Sequence, residues 1–528
     1  MKPYKIALFV ICVMAGLALM ALLYPREGVT FFNVQAEFPS MEEVLGAETE
    51  ESITETETEE EKDTLPEMTP EQLMDMRMAE LEAARDSEFM VFCRKSPTRL
   101  HMPDDDITYL DPVFEALEHA SERPVRIMHY GDSQLEGDRM TGVLREKIQE
   151  TFGGNGSGLL PPVQRLGMAT ATVDTWPELR HYMYFGSPEF HAEHKRYGPL
   201  AQVAEVDSTA RFTVTAHGGS TYPHCRSFRK VSVAMMGDGG FTVQAGGDSL
   251  EMTCSRDSSF DGLRIFSTTL SRSVSKAVIT AYGRMEVYGI MIDGASGVSM
   301  DNIAMRGVSG TLFTSIDRRT LAPFFQQQNV RLLLLQYGGN SVPYLKPGKS
   351  ITGYMQQLKS QIELFKRMIP DAHIIFIGPS DMATSVEDEM MTYPYLPMVV
   401  DSLRSVAQES GVAFWDMFRA MGGRGSMVRW VEADPQLAGE DYIHFTPRGA
   451  RRVSEMLWGA LDLYYKYYRF RHHLDEEEEQ TTNSTQATQT LQTEAKPLPQ
   501  TQATPLQQTE QADSTGAKAD SLETEREE

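Results

Sequence analysis

Four short stretches carry residue types that together can do acyl-transfer chemistry. The first is Gly131-Asp132-Ser133, which offers a hydroxyl on a tight turn. A serine hydroxyl becomes a useful nucleophile only beside a base that works near neutrality, and His444 can supply one. Asp441 lies three residues before His444, close enough to hold the other ring nitrogen and fix the tautomer. Such chemistry also needs donors for a developing oxyanion. Asn340, in Gly338-Gly339-Asn340, offers a side-chain amide, and Gly307 offers a backbone N–H that no side chain obstructs. Taken singly these are ordinary: Gly-Asp-Ser triplets fill turns, and a lone histidine is usually structural. Their co-occurrence carries the reading.

The surrounding pattern says how they are positioned. Val125-Arg126-Ile127-Met128 has strand composition, and Met140, Val143, Leu144, Ile148 and Phe152 recur at helical spacing. Ser133 therefore sits where a buried strand turns into a helix, the geometry that presents nucleophilic serines in α/β hydrolases. Later segments alternate: a strand over Arg331–Gln336, a helix over Thr352–Met368, a strand over His373–Ile377, a helix over Met398–Ser410 and a strand over Val412–Trp415. Alternation of this kind implies a mostly parallel sheet, with active groups at the strands' C-terminal ends, where Ser133, Asn340 and Ser380 fall. Asp441 and His444 precede a helix over Ala450–Leu461. The glycine cluster Gly153–Gly158 mimics a dinucleotide fingerprint, but it comes after a helix instead of joining a strand to one, so it reads as a helix stop.

Between Leu159 and Ile292 the period changes to short alternating runs, such as Arg211–Thr215, Phe241–Gln244 and Ala277–Thr280, separated by glycine turns. This predicts an all-β sandwich inserted into the α/β sequence. Its aromatic residues Trp176, Tyr182, Tyr184 and Phe185 can stack on sugar rings or pack the sandwich core. It also contains a second Gly-Asp-Ser, Gly247-Asp248-Ser249, but a strand pattern comes next, which makes Ser249 part of a β-hairpin.

The chain has 528 residues, 41% of them hydrophobic, and a net charge of −26. An acidic chain of this kind is a poor nucleic-acid binder, since basic patches supply most of that affinity. Ile6–Tyr24 is an uncharged apolar run preceded by Lys2 and Lys5, long enough to span a bilayer with the N-terminus in the cytoplasm. Its end, Leu23-Tyr24-Pro25-Arg26, fits a signal-peptidase site badly, so an uncleaved anchor is expected with the remainder outside the cytoplasm. A Glu/Thr-rich stretch comes after it, and then Thr69-Pro70-Glu71-Gln72, a helix-start signature. Beyond Arg471 the chain becomes Gln/Thr/Glu-rich. Outside the apolar run only Cys93, Cys225 and Cys254 remain; Cys225 and Cys254 can form at most one bridge, and no metal-ligand spacing appears, so neither metal nor cofactor is expected.

Gly131-Asp132-Ser133, Gly307, Gly338-Gly339-Asn340 and Asp441-x-x-His444 resemble, in order, the four blocks of the SGNH or GDSL-type hydrolases. The resemblance implies a three-layer α/β/α flavodoxin-like fold and metal-free serine ester hydrolysis. Ser133 would be nucleophile, His444 base and Asp441 its orienter, with the Ser133 and Gly307 N–H groups and the Asn340 amide as oxyanion hole. The insertion after the serine block, with Phe152-Gly153-Gly154-Asn155-Gly156 at its entry, is similar to peptidoglycan O-acetylesterases, which carry a β domain like a carbohydrate-binding module there. Gln134 departs from the family pattern, in which leucine or histidine is commoner.

The implied organisation is a cytoplasmic stub and membrane anchor (1–28), an acidic tether (29–68), the first part of the hydrolase (69–158), the inserted β domain (159–293), the second part (294–470) and a low-complexity tail (471–528). The implied function is an anchored extracytoplasmic esterase acting on acetylated cell-wall glycan, peptidoglycan foremost. The alternatives are an O-acetyltransferase using the same acyl-enzyme, and a tethered glycan-binding protein with an inactive hydrolase half.

Overall fold

The computed structural model describes residues 29–31, 34–36, 70–254 and 261–472. The chain divides into a unit ending at Ala79 and a unit from Glu80 onward. In the first, Val29–Phe31 pairs antiparallel with Val34–Ala36. The apolar run Ile6–Tyr24, most of the acidic stretch and the tail lie outside the described residues. Among the described residues no helix is long and apolar enough to cross a membrane.

The second unit is built on a six-stranded sheet whose strands are β1 (Leu100–His101), β2 (Val125–Gly131), β3 (Val298–Ala304), β4 (Val330–Gln336), β5 (His373–Ile377) and β6 (Ala413–Trp415). Their spatial order is β3-β2-β4-β5-β6-β1, parallel throughout except for the short antiparallel edge pair β6–β1. Alternate residues of these strands feed two separate cores. Met128, Tyr130, Leu333, Leu335 and Phe376 face helices Arg318–Gln327, Lys349–Met368 and Leu396–Glu409. Ile127, Leu332, Leu334, Ile375 and Ile377 face helices Asp111–Glu118, Thr141–Phe152 and Pro447–Arg471. A sheet covered on both faces reads as continuous apolar runs, which is why β4 and β5 stand out in the sequence. The result is the expected three-layer α/β/α arrangement. The helix Pro70–Lys95 starts at the expected proline, and its Phe89 stacks on Tyr467 of the last helix with ring centroids 3.9 Å apart.

β3 carries no such signature, because its buried positions include Ser299, Asp301 and Asn302. The acid and the amide are each matched by specific partners. The Arg126 guanidinium spans Asp301 and Asp293, and the Leu159 N–H donates to Asp301 at 2.8 Å. Asn302 accepts from Thr141 at 2.9 Å and donates to the Leu135 carbonyl at 3.2 Å.

Between the helix Thr141–Phe152 and β3 lies a nine-stranded, largely antiparallel sheet spanning Gly158–Asp293. Two long strands, Phe228–Ala245 and Lys276–Asp293, pair along most of their length. They enclose their own apolar core with Val173, Phe212, Val214, Val231 and Ile279. The inserted β region is therefore present, and it also shares side chains with the hydrolase core through Leu159, Tyr197, Leu200 and Tyr288. Ser249 lies in its strand Asp248–Cys254, paired with Gln244 after the glycine turn, as the hairpin reading expects. Cys93 and Cys225 are free thiols.

Candidate active site

β2, an interior strand next to the edge strand β3, ends at Gly131, and Asp132 caps the next turn by accepting the Gln134 N–H at 3.0 Å. The sequence implied that the chain runs from Ser133 straight into a helix. Instead Ser133–Asp138 form a tight 3-10 stretch, broken at Glu136 and at Gly137, whose φ is 71°. The α-helix begins only at Thr141. Asp138 closes this detour as a fully buried carboxylate held by Arg145 and by Thr170 at 2.5 Å. Ser133 is thereby held at the C-terminal end of β2, with its carbonyl accepting from Arg139 at 2.8 Å.

The opposite wall is the segment before helix Pro447–Arg471. Thr446 caps that helix, and Gly449 lies so close to Leu437 that an added Cβ would stand 1.8 Å from the Leu437 carbonyl oxygen. This contact fixes where the loop carrying His444 leaves the helix. His444 Nε2 lies 2.8 Å from Ser133 Oγ, and His444 Nδ1 lies 2.7 Å from Asp441 Oδ2. The other oxygen of Asp441 accepts the Ile443 and His444 N–H groups, each at 3.0 Å. Partial burial raises the Asp441 pKa, but those backbone and ring hydrogen bonds outweigh it and hold the carboxyl below its ordinary value. With Asp441 ionised on Nδ1, Nε2 faces Ser133 as acceptor.

Gly307 and Asn340 line the same cleft as Ser133 and His444, a space of 640 Å³. Gly307 has φ 77°, and a Cβ there would meet nothing within 4 Å. The backbone conformation, and not lack of space, therefore calls for glycine. Asn340 donates to Asp132 Oδ2 at 3.0 Å and to the Val308 carbonyl at 3.2 Å. Burial pushes the Asp132 carboxyl up to about 6, opposed by the Gln134 N–H and the nearby His444. The rim carries an Arg306–Glu136 ion pair, the guanidinium of Arg139 and the ring of Tyr344, which is 82% exposed.

The fold thus assembles all five residues expected from the sequence: Ser133, Gly307, Asn340, Asp441 and His444 line one cleft. Ser380 also lines it. Ser249 belongs to the insertion instead. Residues 287–452 match the family GDSL-like Lipase/Acylhydrolase, a span that includes every one of these positions except Ser133 and Ser249. The family match and the cleft together support a serine ester hydrolase of the SGNH/GDSL type.

The matched span begins after Ser133, on the far side of the insertion, while the sheet pairs β2 with β3 residue by residue from Val125 with Val298 to Gly131 with Ala304. Among solved structures, the fold is similar to that of a peptidoglycan O-acetylesterase, with 21% identity and a TM-score of 0.57 over 70% of this chain and 99% of the other. A putative GDSL-like lipase from Parabacteroides merdae matches at 16% identity over 31% of this chain and 74% of its own, with a TM-score of 0.25. A family two carbohydrate esterase from Clostridium thermocellum, solved with cellohexaose, matches at 13% identity over 48% and 93%, with a TM-score of 0.22. No curated protein is significantly similar in sequence.

Three residues of the site were not read as functional from the sequence: Asp132, Arg139 and Tyr344. Asp132 was visible only as part of the Gly-Asp-Ser turn, and nothing in the local pattern distinguishes Arg139 or Tyr344 from surface residues. Gln134 was visible as a departure from the family pattern, without a role.

Proposed function

We propose that this hydrolase is an O-acetylesterase of cell-wall glycan, with Ser133 as nucleophile, His444 as general base and acid, and Asp441 as its orienter. The observation that carries the reading is the continuous Asp441–His444–Ser133 hydrogen-bonded line, with links of 2.7 and 2.8 Å, opening on a cleft lined by Gly307 and Asn340. Ser133 Oγ attacks the acetyl carbonyl carbon while His444 Nε2 takes the hydroxyl proton. The oxyanion is met by the Ser133 and Gly307 N–H groups and the Asn340 amide. Asp132 orients that amide, and the oxyanion competes with the Val308 carbonyl for its second hydrogen. Collapse of the tetrahedral intermediate breaks the bond to the sugar oxygen, which leaves with the proton from His444. Water, deprotonated by the same imidazole, then releases acetate and restores Ser133.

The glycan assignment is supported by the similarity to a peptidoglycan O-acetylesterase along 99% of that protein's length. An extracytoplasmic, anchored location is supported by the apolar run Ile6–Tyr24 behind Lys2 and Lys5, with an acidic tether after it. The ordered triad speaks against a purely glycan-binding role. Acetate release from O-acetylated peptidoglycan, run beside acetylated xylan and an aryl acetate, tests the reading. Preferential release from peptidoglycan is expected. Acetyl transfer to an added glycan in place of release to water would make the protein a transferase.

A further inference from the structure

The residue after the nucleophile, Gln134, is 7% exposed, and both ends of its side-chain amide are committed to the loop that carries the base. Its Nε2 donates to the Ile443 carbonyl at 2.7 Å, and its Oε1 accepts the Phe445 N–H at 3.3 Å. These two peptide groups flank His444. One is an acceptor only and the other a donor only, so the orientation of the amide is forced. Arg139 adds a second arm: it donates to the Phe445 carbonyl at 3.1 Å and to the Ser133 carbonyl at 2.8 Å. Ser133 and His444 come from segments more than three hundred residues apart in the chain, and these two side chains bridge them directly.

We propose that Gln134 is a positioning residue which, with Arg139, clamps the peptide groups on both sides of His444 and so sets the distance between His444 Nε2 and Ser133 Oγ. The inference rests on the triad roles given under the proposed function. It makes Gln134 a brace and not a substrate contact, because both ends of its amide are already engaged by the protein. A leucine here could make neither bond. Catalysis is sensitive to this distance, since a misplacement of about 1 Å can cost on the order of 10²-fold in rate.

The test uses the full-length protein and a small aryl acetate, with Gln134→Met, Gln134→Glu and, as reference, Ser133→Ala. For Gln134→Met, kcat should fall about 10- to 100-fold while KM stays within about twofold, because a transition-state interaction is lost and a binding contact is not. The introduced carboxyl of Gln134→Glu can accept from the Phe445 N–H in either state, but it can donate to the Ile443 carbonyl only when protonated. Its kcat relative to the parent protein should therefore be highest at low pH and decline as that carboxyl ionises. A side chain that only fills space would give no such profile. A parental kcat in Gln134→Met, a raised KM at unchanged kcat, or a flat Gln134→Glu ratio would each overturn the clamp. If Gln134→Met fails to fold, the Gln134→Glu profile decides. Activity surviving in Ser133→Ala would instead overturn the triad assignment, so the two failures are distinguishable.

Discussion

Asn340 donates its side-chain amide to the carboxylate of Asp132, Nδ2 to Oδ2 at 3.0 Å. The residue immediately before Ser133 therefore orients a donor that approaches from the end of a neighbouring strand. The same carboxylate accepts the Gln134 N–H, so one buried acid ties the turn of β2 to the turn after β4.

This tie has a pH signature. Burial raises the Asp132 carboxyl from the ordinary aspartate value to about 6, so between about pH 4 and pH 6 the folded protein binds a proton that the unfolded chain has released. Stability from this group is fully present below pH 4 and is lost as pH rises through 6. In Asp132→Asn that contribution is absent. The difference in melting temperature, parent minus variant, should be largest near pH 4 and shrink toward pH 7; calorimetry of both proteins across this range checks it. A difference that grows with pH would show a carboxylate stabilised in the fold.

The two Gly-Asp-Ser sequences give a direct contrast. Ser133→Ala should lose ester hydrolysis on the order of 10⁴-fold in kcat, as removal of a nucleophile does, while Ser249→Ala keeps the parental rate. Initial rates on an aryl acetate suffice, and equal loss in both variants would contradict the geometry.

Arg145 is fully buried and binds Asp138 at 2.6 and 3.1 Å while donating to the Met300 carbonyl at 2.7 Å. It joins the turn after Ser133, the helix that begins at Thr141 and β3. Arg145→Met strands a buried carboxylate, and about 3–5 kcal/mol of stability should be lost. Urea unfolding measures this; a loss below about 1 kcal/mol would contradict a stabilising role for the Arg145–Asp138 pair.

The four aromatics that the sequence of the insertion offered for sugar stacking do not share one environment. Tyr182, Tyr184 and Phe185 are partly buried and pack on the core, whereas Trp176 is 66% exposed beside Arg211. In the cleft itself, Tyr344 is 82% exposed and offers a flat face for a sugar ring. Tyr344→Ala should lower activity on acetylated polymer several-fold more than on aryl acetate, with Tyr344→Phe close to parental. Equal loss on both substrates would remove the stacking role.

The residues proposed to do chemistry were legible because each sits at an abrupt change of pattern. Ser133 and Asn340 end apolar strands, and His444 precedes a helix. β4 and β5 were legible for the same reason, being apolar on both faces. β3 was not, because Asp301 and Asn302 are buried against partners far away in sequence, Arg126 and Thr141. The 3-10 detour after Ser133 was hidden as well, since it depends on the positive φ of Gly137 and on the burial of Asp138 against Arg145. Gln134 was visible only as a departure from the family pattern. Its role required the position of a loop about three hundred residues further along the chain.

The central claim is that Ser133 carries the acyl group. The protein mixed with an aryl acetate, quenched in acid within the first turnovers and digested should yield one acetylated peptide, the one containing Ser133, and His444→Ala should not accumulate it. An acetyl group on any other peptide, or full hydrolysis with Ser133 never acetylated, would contradict the account.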